Sequence, residues 1–369
     1  VADALLRGIS DTVRFKFRNG VHTVHPTILS ISGSTPSKPI YFESETGITA
    51  GVTLYFGATV ADSNYVVLLN GADNIVFKNL TFASNNAPGS TYASMLSVAG
   101  GVENLRVQSC VFSGPTSASS TNQCAIIASS SLATSRVITG CTFTNGGYGI
   151  YYAGINGTYP STGTEISNNT FTNQGWGGMY LTYQSTPLIS GNTITGAGTR
   201  GIVLDYSSND FQIVKNKITT NSGYGISLSY SVGGSGLPTP LGLIANNFVI
   251  GNGSTSEGMY LAYCGFVNIY HNSVSMNYAS TTADALYIIY GTASSINVVN
   301  NIFANNGGGF AYNIYTPATI NTIDYNDLYT TGTFLATWNN INRTDLAAVQ
   351  SASGQEANSV SVYPSFVSA

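Results

Sequence analysis

The chain has 369 residues and a net charge of −4, and only 8% of its residues are charged, against about 25% in an average soluble domain. This excludes a chain-wide basic surface, so nucleic acid is not an expected partner. The hydrophobic share of 43%, with 24 Tyr and 16 Phe, excludes disorder through a lack of core-forming residues. Because the polar residues are mainly Asn, Ser, Thr and Gly, which favour turns and strands, the composition favours an all-β fold.

No stretch of about 18 uncharged apolar residues occurs, so we expect no helix that spans a membrane. Residues 2–8 are typical of the end of an amphipathic helix that is closed by Gly8. The four cysteines do not form a CxxC motif and are too few for a disulfide-rich scaffold.

A short apolar pattern recurs ten times over residues 77–328. Each copy has an apolar residue, two variable residues, one residue that we call the ladder residue, another variable residue and a second apolar residue. The ladder residues are Leu80, Cys110, Cys141, Asn169, Asn192, Asn216, Asn247, Asn272, Asn301 and Asn326. All twenty flanking positions are apolar, and successive ladder residues are 23 to 31 positions apart. A register that survives insertions of variable length is typical of a solenoid.

A second pattern, a small residue followed by alternating apolar residues, lies between the ladder copies. It begins at Gly178, Gly201, Gly225, Gly258 and Ala285. Alternation with a period of two predicts a strand, so each repeat has room for about three short strands. Helical repeats need about 33 to 47 residues and a period of 3.6. The sequence therefore predicts a right-handed parallel β-helix with about ten or more coils, each coil being one repeat.

The ladder asparagines have two predicted roles in this fold. Asn tolerates left-handed backbone angles, so we place each ladder Asn at a sharp turn between strands. Stacked Asn side chains can also pass amide hydrogen bonds from coil to coil. Because Leu80, Cys110 and Cys141 replace Asn in the first three copies, we expect those turns to differ. A column of tyrosines is expected to stack in the same way: Tyr183, Tyr206, Tyr230, Tyr263 and Tyr290.

We assign a single β-helix domain to residues 1–369, with caps at both ends because solenoid ends expose unpaired strand edges. Residues 1–63 form the N-terminal cap and first coils, residues 64–335 the regular coils, and residues 336–369 the C-terminal cap. Within that last cap, residues 344–350 predict a short helix, with Thr344 as its N-cap and Gly354 beyond its end. Residues 360–367 predict a final strand.

Several segments resemble one known group of proteins. Residues 15–21, 28–47, 64–73 and 77–82 are similar to the N-terminal portion of large exported right-handed β-helix proteins of Bacteroidota, which have a pectin-lyase-like fold. Residues 346–366 are similar to the closing segment of the same group. Many members are type IX secretion substrates, so the resemblance implies a secreted or cell-surface protein, with the secretion machinery among its partners. It implies little about activity.

Two enzyme classes that use β-helices find little support in the residues. A polygalacturonase-like hydrolase needs clustered aspartates, but Asp205 is the only acid in the two outward columns of the Gly-rich strand. A pectate-lyase-like site needs calcium-binding carboxylates with a Lys or Arg base. We therefore expect no cofactor, and calcium has no support. His22, His25 and His271 lack the spacing of zinc ligands, so no metal site is expected.

One pair of acids remains as a candidate catalytic site. Glu257 and Asp284 each precede the first residue of a Gly-rich strand in neighbouring coils, and Arg200 lies two coils before Glu257. If the register is right, the two carboxylates are about 5 Å apart, a separation that suits a cation or a retaining pair of acids. The alternative is that both face solvent and have no role.

Three outward tyrosines, Tyr180, Tyr260 and Tyr287, are candidates for stacking on a sugar ring. Exposed tyrosine is also common on an ordinary sheet surface, so this role too has a plain structural alternative. Since clustered carboxylates are scarce, the sequence favours a non-catalytic extracellular module, a rigid stalk or adhesin-like segment that binds glycan. The alternative is a polysaccharide lyase or glycoside hydrolase that uses Glu257 and Asp284. A long insertion at residues 232–241 would favour the enzyme if it walled a cleft around the two acids.

Overall fold

The computed structural model describes residues 2–85, 90–116, 118–128, 134–156, 160–233, 242–291 and 295–366. The predicted fold is confirmed, because the chain is an all-β right-handed parallel β-solenoid of about 11 turns with few helices. Its contacts divide it into two compact units, Val1–Thr193 and Ile194–Ala369, which we call unit 1 and unit 2. The assignment of one domain to residues 1–369, and the boundaries within it, stay predictions.

The strands of unit 1 are short and follow one another at turns. In chain order, unit 1 contains α1 (Ala2–Arg7), β1 (Val13–Phe17), β2 (Gly20–Thr23), β3 (Thr27–Leu29), β4 (Ile40–Ser44), β5 (Val52–Tyr55), β6 (Val67–Asn70), β7 (Ile75–Lys78), β8 (Thr81–Ala83), β9 (Leu96–Ala99), β10 (Arg106–Gln108), β11 (Val111–Ser113), β12 (Ile126–Ala128), β13 (Thr134–Thr139), β14 (Thr142–Thr144), β15 (Tyr148–Ala153), β16 (Ser161–Ser167), β17 (Thr170–Thr172), β18 (Gly177–Thr182), β19 (Gln184–Ser185) and β20 (Leu188–Ser190).

The strands of unit 2 follow the same plan, although two of them run through a corner and are longer. The remaining elements are β21 (Thr193–Ala197), β22 (Arg200–Asp205), β23 (Gln212–Val214), β24 (Lys217–Ser229), β25 (Gly242–Ala245), β26 (Phe248–Ala262), β27 (Val267–Tyr270), β28 (Ser273–Met276), β29 (Asp284–Ile289), β30 (Ile296–Val299), β31 (Ile302–Asn305), β32 (Phe310–Ile314), β33 (Ile320–Asp324), β34 (Asp327–Thr330), β35 (Ala336–Trp338), β36 (Ile341–Arg343) and α2 (Leu346–Ser353).

Each coil contributes to three parallel sheets. Sheet 1 holds the strands before the ladder residues, sheet 2 those after them, and sheet 3 the Gly-rich strands. In unit 1 the orders are β1-β4-β7-β10-β13-β16-β20, β2-β5-β8-β11-β14-β17 and β3-β6-β9-β12-β15-β18. In unit 2 they are β23-β25-β27-β30-β33 for sheet 1, β24-β26-β28-β31-β34 for sheet 2 and β22-β24-β26-β29-β32-β35 for sheet 3. The strands β24 and β26 therefore belong to two sheets each.

The apolar residues that flank the ladder form the core. All twenty are at most 1% exposed, as the repeat predicts. In unit 1 the residues two positions after the ladder stack as parallel rings, with centroids 4.6 to 4.9 Å apart, from Phe82 through Phe112 and Phe143 to Phe171. In unit 2 the matching sheet 2 column contains Ile218 and Val249, which are in direct register. Burial of these columns is the main stabilising term of such a coil.

The ladder side chains lie inside the coils and are hydrogen-bonded along the column. In unit 2, Asn247 Nδ2 donates to Asn272 Oδ1 at 2.9 Å and to the Ile213 carbonyl at 2.8 Å. The same Asn272 oxygen accepts the backbone N–H of Asn247 at 3.0 Å. In unit 1, Asn169 Nδ2 donates to Asn192 Oδ1 at 3.0 Å. Each amide thus satisfies polar groups that the turn would otherwise bury without a partner.

The predicted left-handed backbone of the ladder residues is wrong by one position. The residue before the ladder residue has the positive φ, as in Asn168 at 55° and His271 at 54°. A residue there points outward, which leaves the ladder side chain free to turn into the coil. The expectation that the Leu and Cys turns differ is also wrong, because the residues before them have positive φ too: Asn79, Ser109 and Gly140.

The caps differ in detail from the prediction. The helix α2 begins at Leu346, and its N-cap is Asp345 rather than Thr344, because Asp345 Oδ1 accepts the Ala348 N–H at 2.9 Å. It ends at Ser353, and Gly354 follows in a left-handed conformation with φ of 66°. The predicted final strand is wrong for the described residues, since Val360 forms only a single bridge to Asp327; Val367 lies outside them.

Candidate functional site

The candidate acids are directed outward by the small residues that follow them. A Cβ on Gly258 would lie 2.3 Å from Val274 Cγ1 in the core, so this position faces inward and admits only glycine. Glu257 is in register with Tyr224, whose ring lies 5.0 Å from that of Tyr260, centroid to centroid, so Glu257 faces the outer surface of sheet 3. Gly225 has the same relation to Val249 Cγ1, at 2.3 Å, and directs Tyr224 outward.

Parallel pairing places five outward positions of unit 2 in one column. Arg200 is in register with Tyr224, Tyr224 with Glu257, Glu257 with Asp284, and Asp284 with Phe310. The pairing of the two acids and the two-coil distance to Arg200 are as the sequence indicates. The guanidinium carbon of Arg200 lies 5.8 Å from the centre of the Tyr224 ring. Tyr224 therefore stands between the cation and the acids.

The two acids differ in their surroundings. Asp284 is only 3% exposed, and its Oδ2 accepts a hydrogen bond from Asn313 Nδ2 at 3.3 Å. Glu257 is half-buried. Asp284 Oδ1 and Glu257 Oε2 are both closed off from solvent, and no described residue donates a hydrogen bond to either atom. A buried carboxylate oxygen without a donor is costly unless the acid carries a proton.

The electrostatics of the two acids favour a protonated carboxyl group in the pair. Burial and the neighbouring Glu257 carboxylate raise the pKa of Asp284 to about 8, although the amide of Asn313 acts in the opposite direction. Burial also raises the pKa of Glu257, against a hydrogen bond from Ser256 that lowers it. Asp284 is therefore the member that holds a proton at neutral pH. A carboxylic acid beside a second carboxyl group can donate a hydrogen bond or act as a general acid.

Tyrosines flank the acids on the same face. Tyr260 and Tyr287 are in direct register on adjacent coils, with ring centroids 5.7 Å apart and planes at 70°. Tyr224 lies 5.0 Å from Tyr260, centroid to centroid. Burial, followed by the charges of Asp284 and the neighbouring tyrosines, raises the pKa of Tyr287 to about 12. Its hydroxyl therefore stays protonated and able to donate at any physiological pH.

A cavity of about 460 Å³ lies next in the column. Phe310, the register partner of Asp284, lines it together with Phe334. Its other lining residues are small or polar: Thr281, Gly308, Thr331, Gly332, Thr333 and Asn342. Aromatic rings with hydroxyl and amide groups around a concave surface are the usual composition of a small-molecule site.

The remaining candidates lie apart from this group. Tyr180 belongs to unit 1, where its ring stacks on Tyr151 with centroids 5.2 Å apart. Asp205 is in register with Ser229, in a different outward column of unit 2. Of the insertion at residues 232–241, positions 234–241 lie outside the described residues, so the wall that it was expected to form is not tested.

Two residues near Glu257 and Asp284 were not identified from the sequence. Tyr224 precedes Gly225 just as Glu257 precedes Gly258, and this shared position was a usable signal. Asn313 is the register partner of Tyr287, and only the pairing of β29 with β32 brings its amide to Asp284. Its own sequence surroundings give no such signal.

The histidines occupy unrelated places. His25 stacks between the rings of Phe56 and Tyr65, with centroids at 3.8 and 4.1 Å, and His22 Nε2 is 2.8 Å from the Arg18 carbonyl oxygen. Among the described residues, no three His, Cys, Asp or Glu side chains come together as a metal site would require. The described part of the chain also contains no helix long and apolar enough to cross a membrane.

Comparison with known proteins supports the architecture. The family described as right-handed beta helix region matches residues 95–237. No curated protein matches the chain by sequence. The structure is similar to that of the periplasmic alginate epimerase AlgG, with a TM-score of 0.61 and 14% identity over 87% of this chain and 75% of that one.

Two further structures are similar at the same level of identity. The GH136 lacto-N-biosidase from Eubacterium ramulus has a TM-score of 0.61 and 12% identity, covering 96% of this chain and 62% of that one. Tailspike protein 3 of bacteriophage CBA120 has a TM-score of 0.51 and 14% identity, covering 87% and 50%. These likenesses concern the fold alone, and the chain shares with these proteins the right-handed β-helix.

Proposed function

We propose that this chain binds a polysaccharide on the outer face of sheet 3 in unit 2, and does so without cleaving it. The observation that carries the proposal is the direct register of Tyr260 and Tyr287 beside the paired acids Glu257 and Asp284. Each half-buried tyrosine presents part of its aromatic ring and a hydroxyl donor to a sugar. Glu257 can accept hydrogen bonds from sugar hydroxyls. The adjoining cavity has room for a sugar residue at the end of this row.

The names of the similar structures support the ligand class. Two of them are an alginate epimerase and a lacto-N-biosidase, names that refer to saccharides. A fold that hosts saccharide sites elsewhere raises the expectation here by analogy alone, because function resides in the site and not in the fold. The residues named above supply the independent argument.

Binding without turnover agrees with the burial of one carboxyl oxygen on each of the two acids. A catalytic acid must reach the glycosidic oxygen within hydrogen-bond distance. Asp284 Oδ1 and Glu257 Oε2 are both shielded from solvent by the protein. The acids therefore serve better to shape and polarise a binding surface than to attack a substrate.

A glycan array followed by calorimetry tests this function. Replacing Tyr260 and Tyr287 together by Ala should weaken binding of the best glycan by at least about fivefold, since each lost stacking contact contributes about 0.5–1.5 kcal/mol. Tyr278→Ala is the matched control, because Tyr278 is an exposed tyrosine of the same unit outside the site. Unchanged affinity in the double variant, with folding intact, would refute the proposal.

The second candidate is a polysaccharide lyase or glycoside hydrolase that uses Glu257 and Asp284. Its specific support is the proton that Asp284 holds beside a second carboxyl group. In a retaining hydrolase, Glu257 would attack the anomeric carbon while Asp284 protonates the departing oxygen, and water would then release the sugar. The spacing of adjacent coils, about 5 Å, agrees with the separation of such acids.

Release of reducing ends or of unsaturated sugars from the bound glycan separates the two candidates. On our proposal, wild type and a Glu257→Ala/Asp284→Ala double variant both release nothing, while the variant still binds, with an affinity lowered by the loss of the Glu257 acceptor. Turnover by wild type that disappears in the double variant would establish the enzyme instead.

We also propose that the chain is a stalk or adhesin-like segment of an exported or surface protein. The support is the resemblance to exported β-helix proteins of Bacteroidota, and one similar structure is a periplasmic protein. Type IX export and contact with the secretion machinery follow from the same resemblance. Fractionation of producing cells should find the protein at the surface or in the medium, and retention inside the cell would refute this part.

A further inference from the structure

A group of aromatic side chains covers the outer face of sheet 3 in unit 1. The rings of Tyr151 and Tyr180 stack at 5.2 Å with an 8° angle. Tyr148 lies beneath them, 6.0 Å from Tyr151 and 5.7 Å from Tyr180. Trp176 packs edge-on against Tyr148 at 5.6 Å. We call these four residues the aromatic cluster.

Exposure within the aromatic cluster is graded from a buried base to an open edge. Tyr148 is only 3% exposed, whereas Trp176 is 37% exposed, and Tyr151 and Tyr180 are intermediate. The register partner of Tyr148 is Gly177, which has no side chain to cover the rings. The ring contact with Tyr148 holds Trp176, which directly precedes β18, in place while one part of it stays open to solvent.

A polar loop lies beside the aromatic cluster because two glycines admit it. A Cβ on Gly147 would lie 2.2 Å from the Ser120 carbonyl oxygen, and one on Gly175 would lie 1.7 Å from that of Ala118. Residues 118–123 are therefore pressed against the turns that carry Tyr148 and Trp176. This loop presents the hydroxyl group of Thr121 and the amide of Asn122 at the surface.

The aromatic cluster contains no charged residue. Residues 107–199 contain only two charged side chains, Arg136 and Glu165. Arg136 is 1% exposed inside the coil, with its guanidinium over the Tyr152 ring at 4.7 Å. Glu165 belongs to sheet 1 and accepts a hydrogen bond from Ser167 at 2.7 Å. Within residues 107–199, therefore, neither charged side chain belongs to the aromatic cluster.

We infer that the aromatic cluster and the loop at residues 118–123 form a separate binding site for a neutral saccharide. Exposed Trp and Tyr rings pack against the apolar C–H faces of sugar rings, and hydroxyl and amide groups bind the sugar hydroxyls. A rigid aromatic surface also loses little conformational entropy on binding. This site shares no residue with the one proposed in unit 2 and does not depend on it.

The fluorescence of Trp176 reports on this site directly. The chain has two tryptophans, and the other, Trp338, is only 7% exposed. In a Trp338→Phe variant the tryptophan emission, excited at a wavelength that tyrosine does not absorb, therefore comes from Trp176 alone. We would titrate this variant with hexasaccharides of glucose, mannose and xylose as neutral probes, and with hexauronates as charged ones. At least one neutral probe should shift the emission to shorter wavelength and protect it from acrylamide quenching, and the hexauronates should not.

Variants then test the assignment of residues. Trp176→Ala should weaken binding of that neutral probe by about tenfold or more in calorimetry, which is a loss typical of a stacking anchor. Tyr180→Ala is the second variant, and both should keep the thermal midpoint of the parent protein. The Tyr260→Ala/Tyr287→Ala variant serves as the control, because it removes the unit 2 rings and should leave this binding unchanged.

Three results would overturn the inference. One is that no neutral probe changes the emission of Trp176, and another is that only hexauronates bind. The third is concentration-dependent self-association in sedimentation that Trp176→Ala abolishes, which would assign the surface to a second copy of the chain. Failure of the unit 2 site alone leaves the Trp176 signal intact, so the two proposals fail separately.

Discussion

The outer face of sheet 3 has different chemistry in the two units, although its strands have the same pattern in both. In unit 1 the position before the core-facing glycine holds Tyr148 or Gly177, and the surface is aromatic and uncharged. In unit 2 the same position holds Arg200, Tyr224, Glu257 or Asp284, three of which can carry a charge near neutral pH. The core-facing positions of sheet 3 stay apolar in both units, as Ile150 in unit 1 and Ile226 in unit 2 illustrate. The solenoid therefore fixes where outward side chains stand, while one or two columns decide what they can bind.

The difference also shows how the fold accepts a buried acid. Asp284 lies on the outer layer, where Asn313 donates to it and a proton neutralises it. Inside the coils, polar side chains such as Asn247 are neutral and hydrogen-bonded to their neighbours. An ionised group without either compensation should not be tolerated in either place.

The largest effect is expected from an acid placed inside the coil. Ile213→Asp would bury a charge at a position that is 0% exposed and surrounded by apolar neighbours. We expect loss of the folded state in circular dichroism and in a thermal melt, because no described neighbour offers the compensation that Asp284 has. Ile213→Val is the control and should cost only about 0.5–1.5 kcal/mol. A folded Ile213→Asp protein would contradict the contrast between core and outer face.

The next effect concerns the proton on Asp284. Folding raises its pKa from 3.8 to about 8, so the folded state binds this proton more tightly than the unfolded state. The stabilisation is fully present below about pH 4 and is lost as the pH rises to about 8, with a slope of at most about 1.4 kcal/mol per pH unit. Asp284→Asn should remove this slope and melt higher than wild type at pH 9.

Thermal melts between pH 5 and pH 9 measure this difference. Asp62→Asn, which changes an exposed acid of unit 1, is the matched control and should keep the slope of wild type. If Asp284→Asn and wild type lose stability in parallel, Asp284 does not carry the proton.

A smaller loss of stability is expected from changes to the ladder residues, and it should differ between an Asn and a Cys of the ladder. Asn247→Ala removes an amide that donates to Asn272 and to the Ile213 carbonyl, and we expect a loss of about 1–3 kcal/mol in the free energy of unfolding. Cys141→Ala removes a thiol with long contacts, such as the 3.4 Å bond from the Cys110 N–H. It should lose less, because thiols are weak hydrogen-bonding groups. Denaturant unfolding of both variants tests the order, and equal losses would contradict it.

The smallest effect is expected when a single tyrosine hydroxyl group is removed from a binding site. Tyr287→Phe should weaken binding of the unit 2 glycan by about 3- to 10-fold, the equivalent of one hydrogen bond of about 0.5–1.5 kcal/mol. Tyr180→Phe should hardly change binding of the neutral saccharide in unit 1, because its ring supplies the contact. Calorimetry on both variants measures the difference, and a reversed order would refute it.

Much of the fold could be predicted because the same sequence pattern recurs ten times along the chain. The twenty apolar flanking positions marked the core, and the spacing of the ladder excluded helical repeats. The strand pattern also predicted which residue pairs with Glu257. The errors were local, since the left-handed residue lies one position earlier and Asp345 replaces Thr344 as the N-cap. The sequence did not decide these two positions, because in each case two neighbouring residues are about equally suited to the required backbone conformation.

The candidate sites were less predictable. Neither the amide of Asn313 near Asp284 nor Trp176 against Tyr148 has a sequence signal, because both contacts join different coils. Tyr180 was named without its partners for the same reason. Outward positions carry no hydrophobic constraint, so no periodicity reveals which of them act together.

The sequence by itself determined the parallel coil, its core columns and the register that sets Glu257 beside Asp284, because apolar periodicity and repeat length leave few other ways to bury the chain. Only the tertiary structure decided that Asp284 is enclosed and protonated while Glu257 is half-open, and that four aromatic rings of unit 1 form one surface. Burial and pKa depend on what neighbouring coils place around a side chain, and those neighbours lie some 23 to 31 residues away in the sequence.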